Sequence, residues 1–254
     1  MDSKQPLHGE TVIFTSTKKS EEPFDLVKRY GGNPISLPLI KTTVRSASYD
    51  ETQLELATSY DWLIFTSQTA VSAFQQKMKR FNKEARTFNV KVAAVGDKTA
   101  HALERIGFRV DFIPQVFSAD VFVKQFNPEG ESLRALFIKG NLAGTLITTE
   151  LSLTVDEWTI YETFPEISHA DEIVQLVKTR PSVSILFASP SAVAVFKDHV
   201  VPAIAWTGYT IGAIGHITER ALQEAGASVA VMPEVYTLPE LVQTLAESKR
   251  KELI

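Results

Sequence analysis

The sequence predicts a two-domain α/β protein whose parallel sheets are flanked by helices. Two observations carry the prediction: short apolar runs alternate with amphipathic stretches along the chain, and that whole pattern occurs twice. Residues 91–126 align without a gap to a stretch beginning at Thr210, at a constant offset of 119 residues. Gly96 falls on Gly215, Thr99 on Thr218, Gly107 on Gly226 and Pro114 on Pro233. Upstream, DWLIFTSQTAVSAF from Asp61 matches SILFASPSAVAVF from Ser184 at an offset of 122, which places Ser67 on Ser189. A weaker match pairs TVIFTS at Thr11 with RALFIKG at Arg134. Copies of this length are too long for a small-repeat solenoid and suit a duplicated domain.

In order along the chain, the runs VIFT, WLIF, VAAV, FRVDFI, ALFI, WTIY, SILF, TIGAI and SVAVM are bounded by turn formers and read as buried parallel strands. Between them, EEPFDLVKRYG, TAVSAFQQKMKRF, KTAHALERIG and SADVFVKQF have the apolar spacing of short helices. In the third of these, Ala100, Leu103 and Ile106 share one face, and Gly107 supplies a left-handed stop. The polar segment KTTVRSAS after Ile40 reads as an extended crossing between domains, and ETFPEIS, with Pro165, as a second. Two crossings make one domain discontinuous, and neighbouring extended segments can pair as a hinge.

Composition narrows the chemistry. The 254 residues are 44% hydrophobic, enough to fill the cores of two ordinary domains. There is no cysteine, which excludes thiolate catalysis, disulfides and cysteine-held metal clusters and fits a reducing compartment. No stretch is long and apolar enough to span a bilayer, and MDSKQPLHGE lacks the pattern of a secretory signal, so the expected location is the cytoplasm. A formal charge of −4 gives no broad attraction for nucleic acid or an anionic membrane surface. The chain has neither a G-x-G-x-x-G turn nor a phosphate loop, and its five histidines show no tight ligand spacing, so neither a cofactor nor a metal is expected. Ser67 and Ser189 lie outside any G-x-S-x-G elbow.

In open α/β sheets, ligands meet the loops beyond the carboxyl ends of the strands. Small hydroxyl residues gather there in this chain. Thr15, Ser16 and Thr17 follow the first strand, Thr66 and Ser67 follow WLIF, and Ser189 and Ser191 follow SILF. Thr99 and Thr218 follow the two glycine turns, and Tyr236 and Thr237 sit in the loop after Pro233, where the first copy has Phe117 and Ser118. Each such hydroxyl is read as a helix N-cap, a ligand contact, or both. Tyr161, at the end of a strand, is either a packing residue or a phenol able to assist a leaving hydroxyl. Lys139 is read as solvated or as a partner for a ligand carboxylate, and His216 follows a strand-end glycine.

Taken together, WLIFTSQTAVSAF at 62–74, VAAVGDKTAHALERIGFRVDFIP at 92–114, IYETF at 160–164, ILFASPSAVAVF at 185–196 and IGAIGHITERALQEAGASVAVMPEVYTLPELV at 211–242 resemble the uroporphyrinogen-III synthase (HemD-like) family. With VIFTS, GG and LPLI near the start, the resemblance covers almost the full chain. It implies two flavodoxin-like lobes joined by a two-stranded β-ladder hinge, one of residues 1–39 with 166–254, the other of 45–160, with crossings at 40–44 and 161–165. It also implies an enzyme of heme biosynthesis, a cyclising hydro-lyase without cofactor or metal. Such an enzyme takes hydroxymethylbilane, a linear tetrapyrrole with eight carboxylates, expels water, and inverts the last ring through a spiro intermediate as the macrocycle closes.

Under that resemblance Tyr161 matches the tyrosine assigned to departure of the hydroxyl. Thr66, Ser67, Thr99, Ser189, Thr218, Tyr236 and Thr237 match cleft positions, and Thr15, Ser16, Lys139 and Ser191 join them as expected substrate contacts. The implied partners are the tetrapyrrole and, in transient handover, hydroxymethylbilane synthase, with the chain a monomer. Two departures stand out. The family commonly has Thr-Arg-Pro after the first strand, where this chain has Thr15-Ser16-Thr17-Lys18, and Arg-Gly with a further Arg where it has Lys139-Gly140 and then Asn141 to Thr145. Losing arginine removes bidentate carboxylate recognition. The alternatives this leaves are an altered homologue that binds a tetrapyrrole or other polyanion without turnover, and a two-lobed solute-binding module.

Overall fold

The computed structural model describes residues 5–18 and 20–252. Its chain divides into two compact units, Met1–Lys41 with Phe164–Ile254 and Thr42–Thr163.

The first unit holds a four-stranded sheet ordered β2-β1-β8-β9, formed by β1 (Thr11–Phe14), β2 (Asn33–Ser36), β8 (Val183–Phe187) and β9 (Thr210–Ala213). Every pairing in it is parallel. Central β1 and β8 are buried along their whole length, as strands covered on both faces must be. Around them lie α1 (Glu22–Arg29), α7 (Ala170–Thr179), α8 (Pro190–His199), α9 (Val201–Ile204), α10 (His216–Glu224) and α11 (Leu238–Glu252). β2 is an addition to the sequence reading. Its Pro34 lacks the ladder donor, and the strand tolerates it because it stands at the sheet edge. At the amino end of this sheet the buried Glu10 accepts hydrogen bonds from Ser182 at 2.5 Å and Ser184 at 2.6 Å, with Lys249 of α11 3.7 Å away.

The second unit is built around β4 (Trp62–Phe65), β5 (Lys91–Ala94), β6 (Arg134–Gly140) and β7 (Thr154–Pro165), again all parallel. With β3 (Ile40–Val44) beside β7, the sheet order is β3-β7-β6-β4-β5. The order β7-β6-β4-β5 repeats β2-β1-β8-β9, so the duplicated sequence produces a duplicated topology. Flanking helices are α2 (Asp50–Ala57), α3 (Gln68–Arg80), α4 (Asp97–Arg105), α5 (Ala119–Gln125) and α6 (Leu146–Glu150). Phe74 of α3 centres an aromatic core, with Phe65 and Phe88 each 5.5 Å away between ring centroids and Phe108 and Trp158 each at 6.0 Å.

Three sequence expectations need correction. FRVDFI and SVAVM form no strands; each contributes one isolated parallel bridge, Phe112 to Ala93 and Val231 to Gly212. In the first copy the Asp111 carboxylate accepts the Val92 N–H at 2.9 Å, taking the donor that a longer ladder would use. The extended reading of KTTVRSAS needs no correction, since its first half is strand, as β3. Tyr161 does not end its strand: β7 runs on to Pro165. Among the described residues, no helix is long and apolar enough to cross a membrane.

A buried ion pair anchors α2 to α3. The Lys77 ammonium lies 2.5 Å from the Asp50 carboxylate, both side chains almost wholly enclosed, and also donates to the Arg45 carbonyl. Asp50 in turn accepts the Ala47 N–H at 2.9 Å. Breaking such a pair from one side strands a charge in the core, which costs about 3–5 kcal/mol, more than the pair itself contributes. Asp50→Ala is therefore expected to lower stability by about that amount. The double variant Lys77→Met/Asp50→Ala should be more stable than Asp50→Ala alone in urea unfolding; the opposite order would mean that the freed ammonium reaches water.

Candidate functional site

The two copies place their helix starts at the carboxyl ends of equivalent strands. In the second unit Ser67 follows β4 with extended dihedrals (φ −151°, ψ 146°), and its hydroxyl accepts the Ala70 N–H at 3.1 Å, capping α3. In the first unit Ser189 caps α8 through Ala192 N–H at 3.3 Å and lies 3.1 Å from the Ser191 hydroxyl. Thr237 caps α11 by accepting Glu240 N–H at 3.3 Å. The loops after Pro114 and Pro233 lay an aromatic on the glycine that opens the preceding helix. A Cβ on Gly96 would come within 3.3 Å of Phe117, and one on Gly215 within 2.8 Å of Tyr236. The Tyr236 hydroxyl also lies 3.2 Å from His216 Nδ1.

Tyr161 has a more specific setting. Its phenol oxygen lies 3.2 Å from the Ser67 hydroxyl, although 94 residues separate the two in sequence. Between them stands Gly140, where a Cβ would fall 2.3 Å from the ring Cζ and 2.7 Å from the phenol oxygen. The strand register explains the arrangement. Phe65 of β4 pairs with Ile138 of β6, so Ser67 and Gly140 stand level two residues further on, and Gly140 pairs with Tyr161 of β7. Neighbouring strands are about 4.8 Å apart. The tyrosine ring must therefore pass over β6 to reach the helix cap beyond β4, and only glycine leaves it room.

A β-bulge aims the ring. The β6–β7 register runs Ile138 to Trp158 and Lys139 to Thr159, then skips Ile160 so that Gly140 meets Tyr161. Without the extra residue, strict alternation would turn Tyr161 to the opposite face, with Glu157 and Thr159. Past the bulge, Asn141 holds the strands together. Its N–H donates to the Tyr161 carbonyl, and its side-chain amide bonds the Thr163 backbone both ways, at 2.8 and 3.2 Å.

Several expected contacts have other partners. Lys139 is buried and its ammonium lies 2.8 Å from the Glu157 carboxylate, so its charge is already neutralised within the protein. This corrects its reading as a solvated lysine. Thr15 is wholly buried and donates to the Leu186 carbonyl at 2.9 Å, extending the sheet rather than facing a ligand. Thr99 and Thr218 occupy the third position of α4 and α10 and are buried at 5% and 3% exposure, away from solvent. Ser16, Thr66, Ser67, Ser189, Ser191 and Thr237 are half-buried, and Tyr236 is exposed. Sequence reading overlooked Gly140, Asn141 and Glu157. A glycine ending an apolar strand, followed by an amide, was the available signal for the first two.

The Lys139 ammonium, and after it the Thr148 hydroxyl, hold the Glu157 carboxyl below its ordinary pKa, against partial burial acting the other way. Those contacts stabilise the fold fully above the unfolded Glu value, about pH 4.3, and the contribution is lost as pH falls through the lower folded value.

These features define a class: duplicated, discontinuous parallel α/β proteins with hydroxyl-rich loops at the carboxyl ends of their strands. The family model described as uroporphyrinogen-III synthase HemD matches residues 24–243, and the chain belongs to the uroporphyrinogen-III synthase family. It is similar to the uroporphyrinogen-III synthase of Synechococcus elongatus, with 28% identity over 98% of this chain and 99% of the relative. The Chlorobaculum parvum enzyme of the same name is 26% identical over 94% of this chain and 98% of that one. In fold it resembles a mutant uroporphyrinogen III synthase from Thermus thermophilus (TM-score 0.74, 17% identity, 95% of this chain and 99% of that one). The Helicobacter pylori structure gives a TM-score of 0.60 at 19% identity, over 94% and 99% of the two chains.

Two outcomes are expected. Gly140→Ala should leave the strands in place but drive the Tyr161 ring off Ser67, which a crystal structure of the variant will reveal. On moving from above to below about pH 4.3, the wild-type chain should lose more stability in urea titrations than Glu157→Gln, which has no carboxyl to protonate.

Proposed function

We propose that this chain catalyses the uroporphyrinogen-III synthase reaction, the dehydrating closure of hydroxymethylbilane with inversion of its last ring. The observation that supports this most directly is the Tyr161 phenol, held across Gly140 against Ser67 at the carboxyl end of the sheet, in a chain whose family membership spans nearly its full length.

The substrate is already reactive. Its pyrrole nitrogen pushes electrons toward the hydroxymethyl carbon, so the C–O bond breaks once the departing oxygen can take a proton. Tyr161 supplies that proton, water leaves, and a cationic azafulvene remains. Attack on this carbon through the spiro centre, rearrangement and closure release one proton as the pyrrole regains aromaticity, and the phenolate takes it back. The protein then has to hold the chain folded so that the substituted ring carbon reacts rather than the free terminal one. Backbone N–H groups and hydroxyls at the helix starts suit the acetate and propionate arms. We assign that contact to Ser16, Thr66, Ser189, Ser191, Tyr236 and Thr237, residues that are at least partly exposed. Hydroxymethylbilane closes unaided to the type I isomer, which favours direct receipt of the substrate from hydroxymethylbilane synthase; the chain is proposed to act as a monomer in the cytoplasm.

The test is a coupled assay in which porphobilinogen deaminase generates fresh substrate and the oxidised type I and type III uroporphyrins are separated chromatographically. Type III product above the type I background is expected, with Tyr161→Phe lowering kcat by roughly 10²-fold or more. Type I product alone would overturn the assignment.

A further inference from the structure

Ser67 touches the proposed acid on one side and a helix start on the other, and the chemistry of a hydroxyl decides which way its proton points. A serine oxygen has two lone pairs and one hydrogen. One lone pair already accepts the Ala70 N–H at the start of the 13-residue helix α3, where the unsatisfied N–H groups give a positive end. An oxygen polarised in that way is a poorer acceptor and a better donor toward its next neighbour. That neighbour is the Tyr161 oxygen at 3.2 Å.

Resting on the synthase reading, we propose that Ser67 is a positioning residue for Tyr161: it donates its hydrogen to the phenol oxygen, so that the phenol's own proton is presented outward to the departing hydroxyl. The same O–H then stays in place as donor to the phenolate when that proton has gone, with α3 behind it. Gly140 makes the contact sterically feasible, and the bulge at Ile160 together with the Asn141–Thr163 amide pairing fixes the approach of the ring. Among the described residues the pairing is specific to the second copy. By the β1–β8 register, Thr17 stands where the second unit has Gly140, and Ser189 is paired with Ser191.

Three variants separate this role from capping. Threonine both caps and donates; aspartate caps but, ionised, only accepts; alanine does neither. Ser67→Ala is expected to lose roughly tenfold in kcat, the range of one hydrogen bond to a charged group, with little change in KM. Ser67→Thr should restore most of that loss. Ser67→Asp should keep the wild-type melting temperature while its kcat at saturation falls as far as that of Ser67→Ala. In a Tyr161→Phe background, Ser67→Ala should have no further effect on kcat, because its action passes through the missing phenol oxygen.

Multiplying effects in that double variant, or a Ser67→Asp variant as active as Ser67→Thr, would overturn the proposal while leaving the synthase assignment intact. Absence of type III product from the wild-type chain would instead overturn the functional reading. The contact is then judged from 3-fluorotyrosine placed at position 161. A fluorine resonance that shifts with Ser67→Ala and returns with Ser67→Thr upholds the positioning role, and one that is indifferent to both overturns it.

Discussion

The arrangement of the second unit's site depends on one missing Cβ. Tyr161 and Ser67 lie on strands that are not neighbours, and the strand between them would block any ring crossing it if it carried a side chain at Gly140. The other devices serve that crossing. A bulge turns the tyrosine to the correct face, Asn141 keeps the strands paired beyond the bulge, and Ser67 waits at the far side as the cap of α3. No element is unusual alone. Their coincidence at one level of the sheet gives the phenol a defined direction.

Duplication built the frame, and divergence built the chemistry. Both copies order their strands alike, cap the equivalent helix with the equivalent serine, and rest an aromatic on the glycine that opens a later helix. Yet among the described residues the crossing tyrosine belongs to the second unit alone. In the first unit Thr17 fills the level of Gly140 and bonds toward the Ile40 carbonyl at 3.4 Å.

Three charged groups are withdrawn from the surface into pairs: Lys77 is enclosed with Asp50, Glu10 with two serines and Lys249, and the buried Lys139 reaches the more exposed Glu157. Lys139, where the family resemblance leads one to expect arginine, is thus held by Glu157. This is compatible with a chain that carries only a small net charge.

Much of the fold was legible in the sequence because its signals are local. Apolar runs mark strands, since a strand buried on both faces has no polar side, and amphipathic spacing marks the helices between them. The serines that end two strands cap the next helices because a cap needs only its neighbours three residues on. The runs at 108–113 and 228–232 each make only one isolated bridge, and for the first of them composition alone does not reveal that the partner strand's N–H is claimed by the Asp111 side chain. The sequence by itself therefore determined the class of fold, its duplication and its helix starts. Only the tertiary structure decided which hydroxyls are enclosed, which lysine is neutralised, and that Tyr161 meets Ser67 over Gly140. Those outcomes depend on register and on a one-residue bulge between strands far apart in the chain, and neither can be read from the spacing of residues along it.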